Sequence, residues 1–378
     1  MKSLQKKGMS YITAIGTANP PHRFSQSTIA RFMEKSMNLN AADSRKLHTI
    51  FRASGIDYRH TVLDDYGKED SFSFYPNTPN LEPFPSTEKR LLAFREHALG
   101  ISLAAVRNLQ GSVPSSAFRT EEITHLIVVC CTGMYAPGLD IELVQELALP
   151  STIQRTSITF MGCYAAFNGL KVADAFCKAD QKAKVLIVCT ELCSLHFQRQ
   201  PTDDNLLANA LFADGSAALL VEAAPARKSL RIEAFHSDLA PEGKHDMAWS
   251  IGDLGFEMKL STYVPDIIRG GIRDLTNLLL ARAKNNSKGI RHFAIHPGGK
   301  KILEAIQQEL GITEEQNRHA YTVLKNFGNM SSPTVLFVLN EVFKNASGTD
   351  NDEQVLSFAF GPGLTLESML LKFEIYDA

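Results

Sequence analysis

The chain predicts an α/β fold in two similar halves, with sheets covered by helices on both faces. Short β-branched runs alternate with amphipathic stretches along its whole length. Several of those runs, such as His125–Cys131, are continuously apolar, as strands buried on both faces are. A length of 378 residues with 44% hydrophobic side chains exceeds one minimal domain and supplies a large core.

Tyr11–Gly16 reads as the first strand, and Ser27–Ser36 and Ala41–Ala53 as helices. Gly67–Thr87 is rich in Pro, Asn, Ser and Phe without a period, so it reads as a long irregular loop, a kind that is often functional. Helical spacing of Leu91, Leu92, Phe94, Ala98, Leu99, Leu103 and Val106 predicts a helix over Glu88–Leu109. His125–Cys131 and Ser157–Phe160 read as strands, Tyr164–Ala179 as a helix and Ala183–Cys189 as a strand. Ala217–Glu222 and Leu230–Ser237 read as an antiparallel pair. The second half predicts helices over Val264–Lys284, Gly299–Glu309 and Pro333–Phe343, and strands over His292–Ile295, Val355–Phe360 and Ser368–Tyr376. A strand, a Gly-containing turn and a helix at Phe160–Ala179 recur near Asn326–Phe343. That recurrence points to a duplication with its boundary near residue 225, dividing the chain into 1–225 and 226–378.

A formal net charge of -2 leaves no excess to neutralise a phosphate backbone, so nucleic acid is not an expected partner. No apolar run approaches the ~20 residues of a membrane span. Lysines precede Tyr11–Gly16, but that run is too short for the core of a signal peptide and reads as a strand. The cysteines Cys130, Cys131, Cys163, Cys177, Cys189 and Cys193 form no CxxC pair. Reduced thiols and the lack of a signal place the chain in the cytoplasm. Cys189, Cys193 and His196 read as buried side chains rather than metal ligands, and no metal site is expected.

Three residues stand out chemically. Cys163 follows a strand and the turn Met161-Gly162, where a helix opens; first-turn N–H groups and the helix dipole favour a thiolate there. His296 sits at the carboxyl end of its strand, before Pro297-Gly298-Gly299, where α/β sheets hold ligands. Asn329 lies in NFGNMSSPT, between Gly328 and the start of a helix. Singly, each also fits a structural role: a buried cysteine, a backbone-bonded histidine, a helix cap. Jointly they match acyl chemistry, with a nucleophile, a proton or ion-pair partner and a neutral donor to an oxyanion.

With AIGTANP (Ala14–Pro20), LFADGSAAL (Leu211–Leu219), IHPGG (Ile295–Gly299), NFGNMSSPT (Asn326–Thr334) and FGPGLTLE (Phe360–Glu367), the chain resembles type III polyketide synthases. These are the chalcone-synthase-like branch of the thiolase superfamily, and the matches run in family order over nearly the whole chain. The resemblance implies a five-layered αβαβα fold, a homodimer and a Cys163/His296/Asn329 triad. It implies acyl-CoA and malonyl-CoA as substrates, with no further cofactor, and iterated condensation closing to a resorcinol, phloroglucinol or pyrone. Phe212 would gate the passage between the coenzyme A tunnel and the cavity, and Gly361-Pro362-Gly363 would line that cavity. Lys46, with Arg52 nearby, would meet coenzyme A phosphates. Cys131, Met258, Cys193 and His196 are cavity candidates, the last three departing from the plant pattern. Ala136 stands where the partner subunit usually inserts a methionine, and Ala359 replaces a loop glycine. These departures look like the bacterial members. A single-condensation enzyme of the ketoacyl-ACP synthase III type would share fold and triad.

Overall fold

The computed structural model describes residues 8–114, 117–261, 263–284 and 290–376. The strands are β1 (Tyr11–Ala18), β2 (His22–Ser25), β3 (Tyr58–Thr61), β4 (His125–Cys130), β5 (Gln154–Thr159), β6 (Lys184–Leu192), β7 (Asp214–Glu222), β8 (Lys228–Leu239), β9 (Met247–Gly252), β10 (Gly255–Leu260), β11 (His292–Ile295), β12 (Gln354–Gly361) and β13 (Thr365–Ile375). The α-helices are α1 (Gln26–Met37), α2 (Ala41–Ala53), α3 (Thr87–Gly111), α4 (Leu139–Glu146), α5 (Ala165–Ala179), α6 (Asp203–Leu211), α7 (Val264–Arg282), α8 (Lys300–Leu310), α9 (Arg318–Phe327) and α10 (Thr334–Asn345).

Nine strands join in the order β11-β12-β13-β8-β1-β7-β6-β4-β5. The two halves of this sheet meet only where Tyr11 pairs with Arg231 and Ile12 with Leu230. Helix α5 packs on β4, β6 and β7 from one half and on β13 from the other; α10 packs on β1, β7 and β11. These two helices therefore form the middle layer between two sheets. Helix α3 covers β1, β6 and β7 from outside, while α7 covers β8 and β13 and carries α8. The result is the αβαβα stack.

Burial explains why these strands are apolar throughout. On β4, Ile127 and Val129 enter the cluster around α5 and α10, while Leu126, Val128 and Cys130 enter the one beneath α3. With both faces covered, alternation of polar and apolar residues disappears.

The structure departs from the sequence reading at several points. β7 and β8 do not pair, because β1 lies between them. β1 is buried along nearly all its length, which a central position requires and a simple hairpin would deny. No strand precedes α10: α9 ends at Phe327, and the strand's place is taken by a single parallel bridge between Phe212 and Asn329. The expected loop at Gly67–Thr87 is mostly irregular, but Phe74, Tyr75, Leu81 and Phe84 are buried in it. Tyr75 lies near Phe32 and Phe197, so this segment seals an aromatic cluster. β2, β3, β9, β10, α4, α6 and α9 were not anticipated; most are short and half exposed, which leaves little periodicity to read.

Candidate active site

Cys163 is held by a tight elbow. β5 ends at Thr159, Phe160 takes a left-handed φ of 57°, and Gly162 a φ of 80°. A Cβ on Gly162 would overlap the Pro362 ring, so only glycine lets the Gly361-Pro362-Gly363 turn close against the elbow. The Gly162 N–H points to Cys131 Sγ at 3.0 Å, and α5 begins two residues after Cys163.

His296 leaves β11 with its N–H bonded to Phe358 O at 2.8 Å, while neither ring nitrogen has a partner among the described residues. Asn329 follows Gly328, just after the end of α9. Its Oδ1 accepts from Ser331 N at 2.8 Å and lies 4.0 Å from Cys163 Sγ; its Nδ2 reaches toward Gly298 O at 3.4 Å. All three side chains border one narrow cavity.

Burial sets the charge state of this site. It pushes the Cys163 thiol up to about 12 and the His296 imidazole down to about 3. The sequence reading expected a thiolate stabilised by the helix start and by ion pairing with His296. Desolvation opposes both charges and outweighs a helix start whose first N–H groups are already engaged, Ala165 N with Gly162 O and Phe167 N with Tyr164 O.

Phe212, Cys131, Cys193, Met258 and Pro362 line the cavity. Gly361 and Gly363 flank Pro362 without lining it; Gly361 packs against Tyr164. His196 lies one layer back, beside an adjoining space that shares Phe212, Cys193, Trp249 and Met258 with the first. Its ring stacks on Phe256 at 4.1 Å, Nε2 meets Thr132 O at 2.7 Å, and Nδ1 accepts from Phe256 N at 3.0 Å. Both nitrogens are engaged and burial lowers the imidazole to about 3, so His196 acts as a neutral wall.

A groove adjoins the cavity at Leu260, Gly298 and Ile302. Lys46 borders it, paired with Asp203, as do Lys300 and Lys301 at the start of α8. Arg52 is exposed and lies outside the groove's lining; it sits in the last turn of α2. Ala136 is exposed, precedes a cis bond to Pro137 and does not border the cavity. No group of three or more His, Cys, Asp or Glu among the described residues is arranged to hold a metal ion.

The sequence reading missed Trp249, which borders both cavities and donates Nε1–H to Cys131 O at 3.3 Å. Its only sequence signal is that it is the single tryptophan of the chain. Lys300 and Lys301 were also missed, although two lysines directly after Gly298-Gly299 are visible in the sequence.

Residues 1–225 match the family described as chalcone and stilbene synthases, N-terminal domain, and residues 231–374 match the corresponding C-terminal domain. The chain belongs to this family. It is a type III polyketide synthase, an acyl-transferring condensing enzyme. It is 30% identical over 368 residues to the alpha-pyrone synthesis polyketide synthase-like Pks18 of Mycobacterium tuberculosis, covering 96% of this chain and 91% of that one. It is 29% identical to a putative chalcone synthase of Bacillus subtilis, covering 97% of this chain and 99% of that one. Probable polyketide synthase 1 of Dictyostelium discoideum is 30% identical over 98% of this chain, which spans only 12% of that longer relative. Among solved structures, the C-terminal type III polyketide synthase domain of Steely1, a type I/III hybrid from Dictyostelium, superposes with a TM-score of 0.88 at 29% identity, covering 96% of this chain and 99% of that one. PKS-I from the brown alga Ectocarpus siliculosus does so with the same TM-score and identity, covering 97% and 99%. No helix among the described residues is long and apolar enough to cross a membrane.

Proposed function

We propose that this synthase carries an acyl starter as a thioester on Cys163 and extends it with malonyl-CoA. The observation behind this reading is that three distant turns bring one thiol, one unpartnered imidazole and one side-chain amide to a single apolar cavity, beside a groove bordered by lysines.

Sulfur attacks the acyl-CoA carbonyl, the bond to coenzyme A breaks, and the thiol proton passes through His296 to the departing thiol. Starting from a neutral pair avoids holding two buried charges before substrate arrives. Malonyl-CoA then loses CO₂, and its electron pair is held as a thioester enolate. His296 and Asn329 donate to the enolate oxygen; where tested, one such donor is worth about 3–4 kcal/mol of barrier. The enolate carbon attacks the acyl carbonyl, a C–C bond forms, the C–S bond to Cys163 breaks, and the thiolate takes up a proton from water to restore the neutral thiol. Coenzyme A thioesters serve as substrates, and decarboxylation supplies the carbanion, so the scheme uses no resident cofactor.

Lys46, Lys300 and Lys301 suit the phosphates of coenzyme A, and Phe212, which borders both the cavity and the space beside His196, suits a gate. Repeated extension and cyclisation would give a resorcinol, phloroglucinol or pyrone. The α-pyrone synthesis in the name of Pks18 supports a pyrone, and a cavity narrowed by Trp249 supports a short chain. A homodimer is supported by β5, a largely exposed strand at the sheet edge that a second copy can extend across a two-fold axis. Ala136, exposed on its turn, suits the partner-facing position that the family resemblance implies. Six unpaired buried thiols accord with the cytoplasm.

The test is incubation with malonyl-CoA and a panel of acyl-CoAs, with products read by mass. Masses rising by two-carbon units, from the wild-type enzyme and not from Cys163→Ala, support the reading; polyketide from Cys163→Ala would refute it.

A further inference from the structure

Arg59 is 4% exposed, and among the described residues it bonds directly to no carboxylate. Burying a cation is costly, and the buried Asp214 carboxylate offsets that cost only from a distance, without a direct ion pair. Its contacts show what it holds. Nη1 donates to Phe212 O at 2.6 Å, Nε donates to Gln26 Oε1 at 2.9 Å, and the guanidinium lies 5.5 Å from the centre of the Phe51 ring on α2. Gln26 in turn donates Nε2–H to Ala210 O at 2.7 Å. Together Arg59 and Gln26 cap carbonyls that α6 leaves open at its C-terminus, where a positive charge is favoured.

Phe212 and Asn329 are locked to each other at the same place. Asn329 N donates to Leu211 O at 2.9 Å, and Ala213 N donates to Asn329 O at 2.8 Å. The stem of Arg59 lies beneath this bridge. Gly328, with φ of 70°, has no room for a side chain there: a Cβ would stand 2.9 Å from Arg59 Cγ and 3.0 Å from Leu211 O. Arg59 thus bonds Phe212 through its carbonyl and packs against Gly328, the residue that precedes Asn329. The other end of α6 is tied to the groove by the pair of Asp203 with Lys46.

We infer that Arg59 is a positioning residue for the condensation: it clamps the Phe212–Asn329 bridge, so that the Asn329 amide stands where the enolate oxygen develops. This rests on the role proposed for Asn329. Lysine at this position keeps the charge but cannot bond Phe212 and Gln26 together in the guanidinium's planar geometry.

The experiment compares wild type, Arg59→Lys and Gln26→Met in three measurements: malonyl-CoA decarboxylation kinetics, alkylation of Cys163 by iodoacetamide, and hydrogen exchange at backbone amides. Arg59→Lys is expected to lower the decarboxylation kcat about 10- to 100-fold, the loss that a misplacement near 1 Å brings. KM should stay within about threefold, because the groove lysines are untouched, and Cys163 alkylation within about twofold. Exchange should quicken at Ala213 and Asn329 but not in β1 or β7. Gln26→Met, which keeps the Phe212 bond, should shift the same readouts less, and it carries the test alone if Arg59→Lys does not fold. Wild-type decarboxylation, or a loss matched by faster exchange across β1 and β7, overturns the assignment. Wild-type decarboxylation unaffected by Asn329→Ala would instead sink the proposed function, while exchange at the bridge still reports on the clamp.

Discussion

Trp249 and Met258 face each other across the β9–β10 hairpin, and both border the cavity that holds Cys163. A second cross-strand pair on this hairpin, Met247 with Leu260, borders the same cavity. A two-stranded ribbon, not the central sheet, therefore supplies much of the apolar wall. The Trp249 indole packs edge-on to His196 at 6.1 Å and to Phe256 at 5.8 Å, so its position is held by neighbours rather than by the strand alone.

Trp249→Gly is expected to join the two cavities and lengthen the product by one or more two-carbon units, read by mass. The ring is half-buried, so the loss of stability should be about 2 kcal/mol, below the roughly 3–5 kcal/mol of a full core truncation. An unchanged product with a folded variant would show that this wall does not limit chain length.

Trp249 is also the only tryptophan, so intrinsic fluorescence reports on the cavity. Titrating Cys163→Ala with an acyl-CoA should change emission saturably, and Trp249→Phe should abolish the signal while leaving binding by calorimetry in place.

Cys163→Ala should make no polyketide yet retain malonyl-CoA decarboxylation, since the donors to the enolate remain. Asn329→Ala should lower decarboxylation about 10²- to 10³-fold, the range for loss of one oxyanion donor. Release of CO₂ from labelled malonyl-CoA measures both.

Because burial holds the Cys163 thiol up near 12, alkylation of the free enzyme should keep accelerating about tenfold per pH unit from pH 7 to 10. A plateau near neutrality would instead reveal a thiolate–imidazolium pair.

His296 contributes a pH dependence of stability whose sign follows from its lowered value. Folded, it titrates near 3; an exposed histidine titrates near 6.5. Between those values the unfolded chain binds a proton that the folded chain does not. Stability from this residue is therefore full above pH 6.5 and is lost as pH falls toward 3. At pH 5, about 1.5 units below the unfolded value, the loss is about 2 kcal/mol. Denaturant unfolding at pH 7.5 and 5.0 should show wild type losing about that much more than His296→Gln.

The strand–helix alternation was legible because covered strands must be apolar throughout and helices must keep one apolar stripe. Cys163 and His296 were legible for a related reason: each stands at the end of a strand, beside glycine or proline, where the backbone has to turn. Asn329 was found in a named motif but placed after a strand, when it follows α9. The sequence of β7 and β8 gave no hint that β1 would lie between them, because strand order depends on partners more than two hundred residues apart in the chain. Trp249, Lys300, Lys301 and Arg59 looked ordinary for the same reason, since what each touches comes from distant segments. Local pattern carries which residues are buried and where the chain turns. Only packing across the whole chain decides which walls enclose the cavity, that its thiol and imidazole are both driven neutral by exclusion of water, and that a buried arginine lies beneath the bridge joining Phe212 to Asn329.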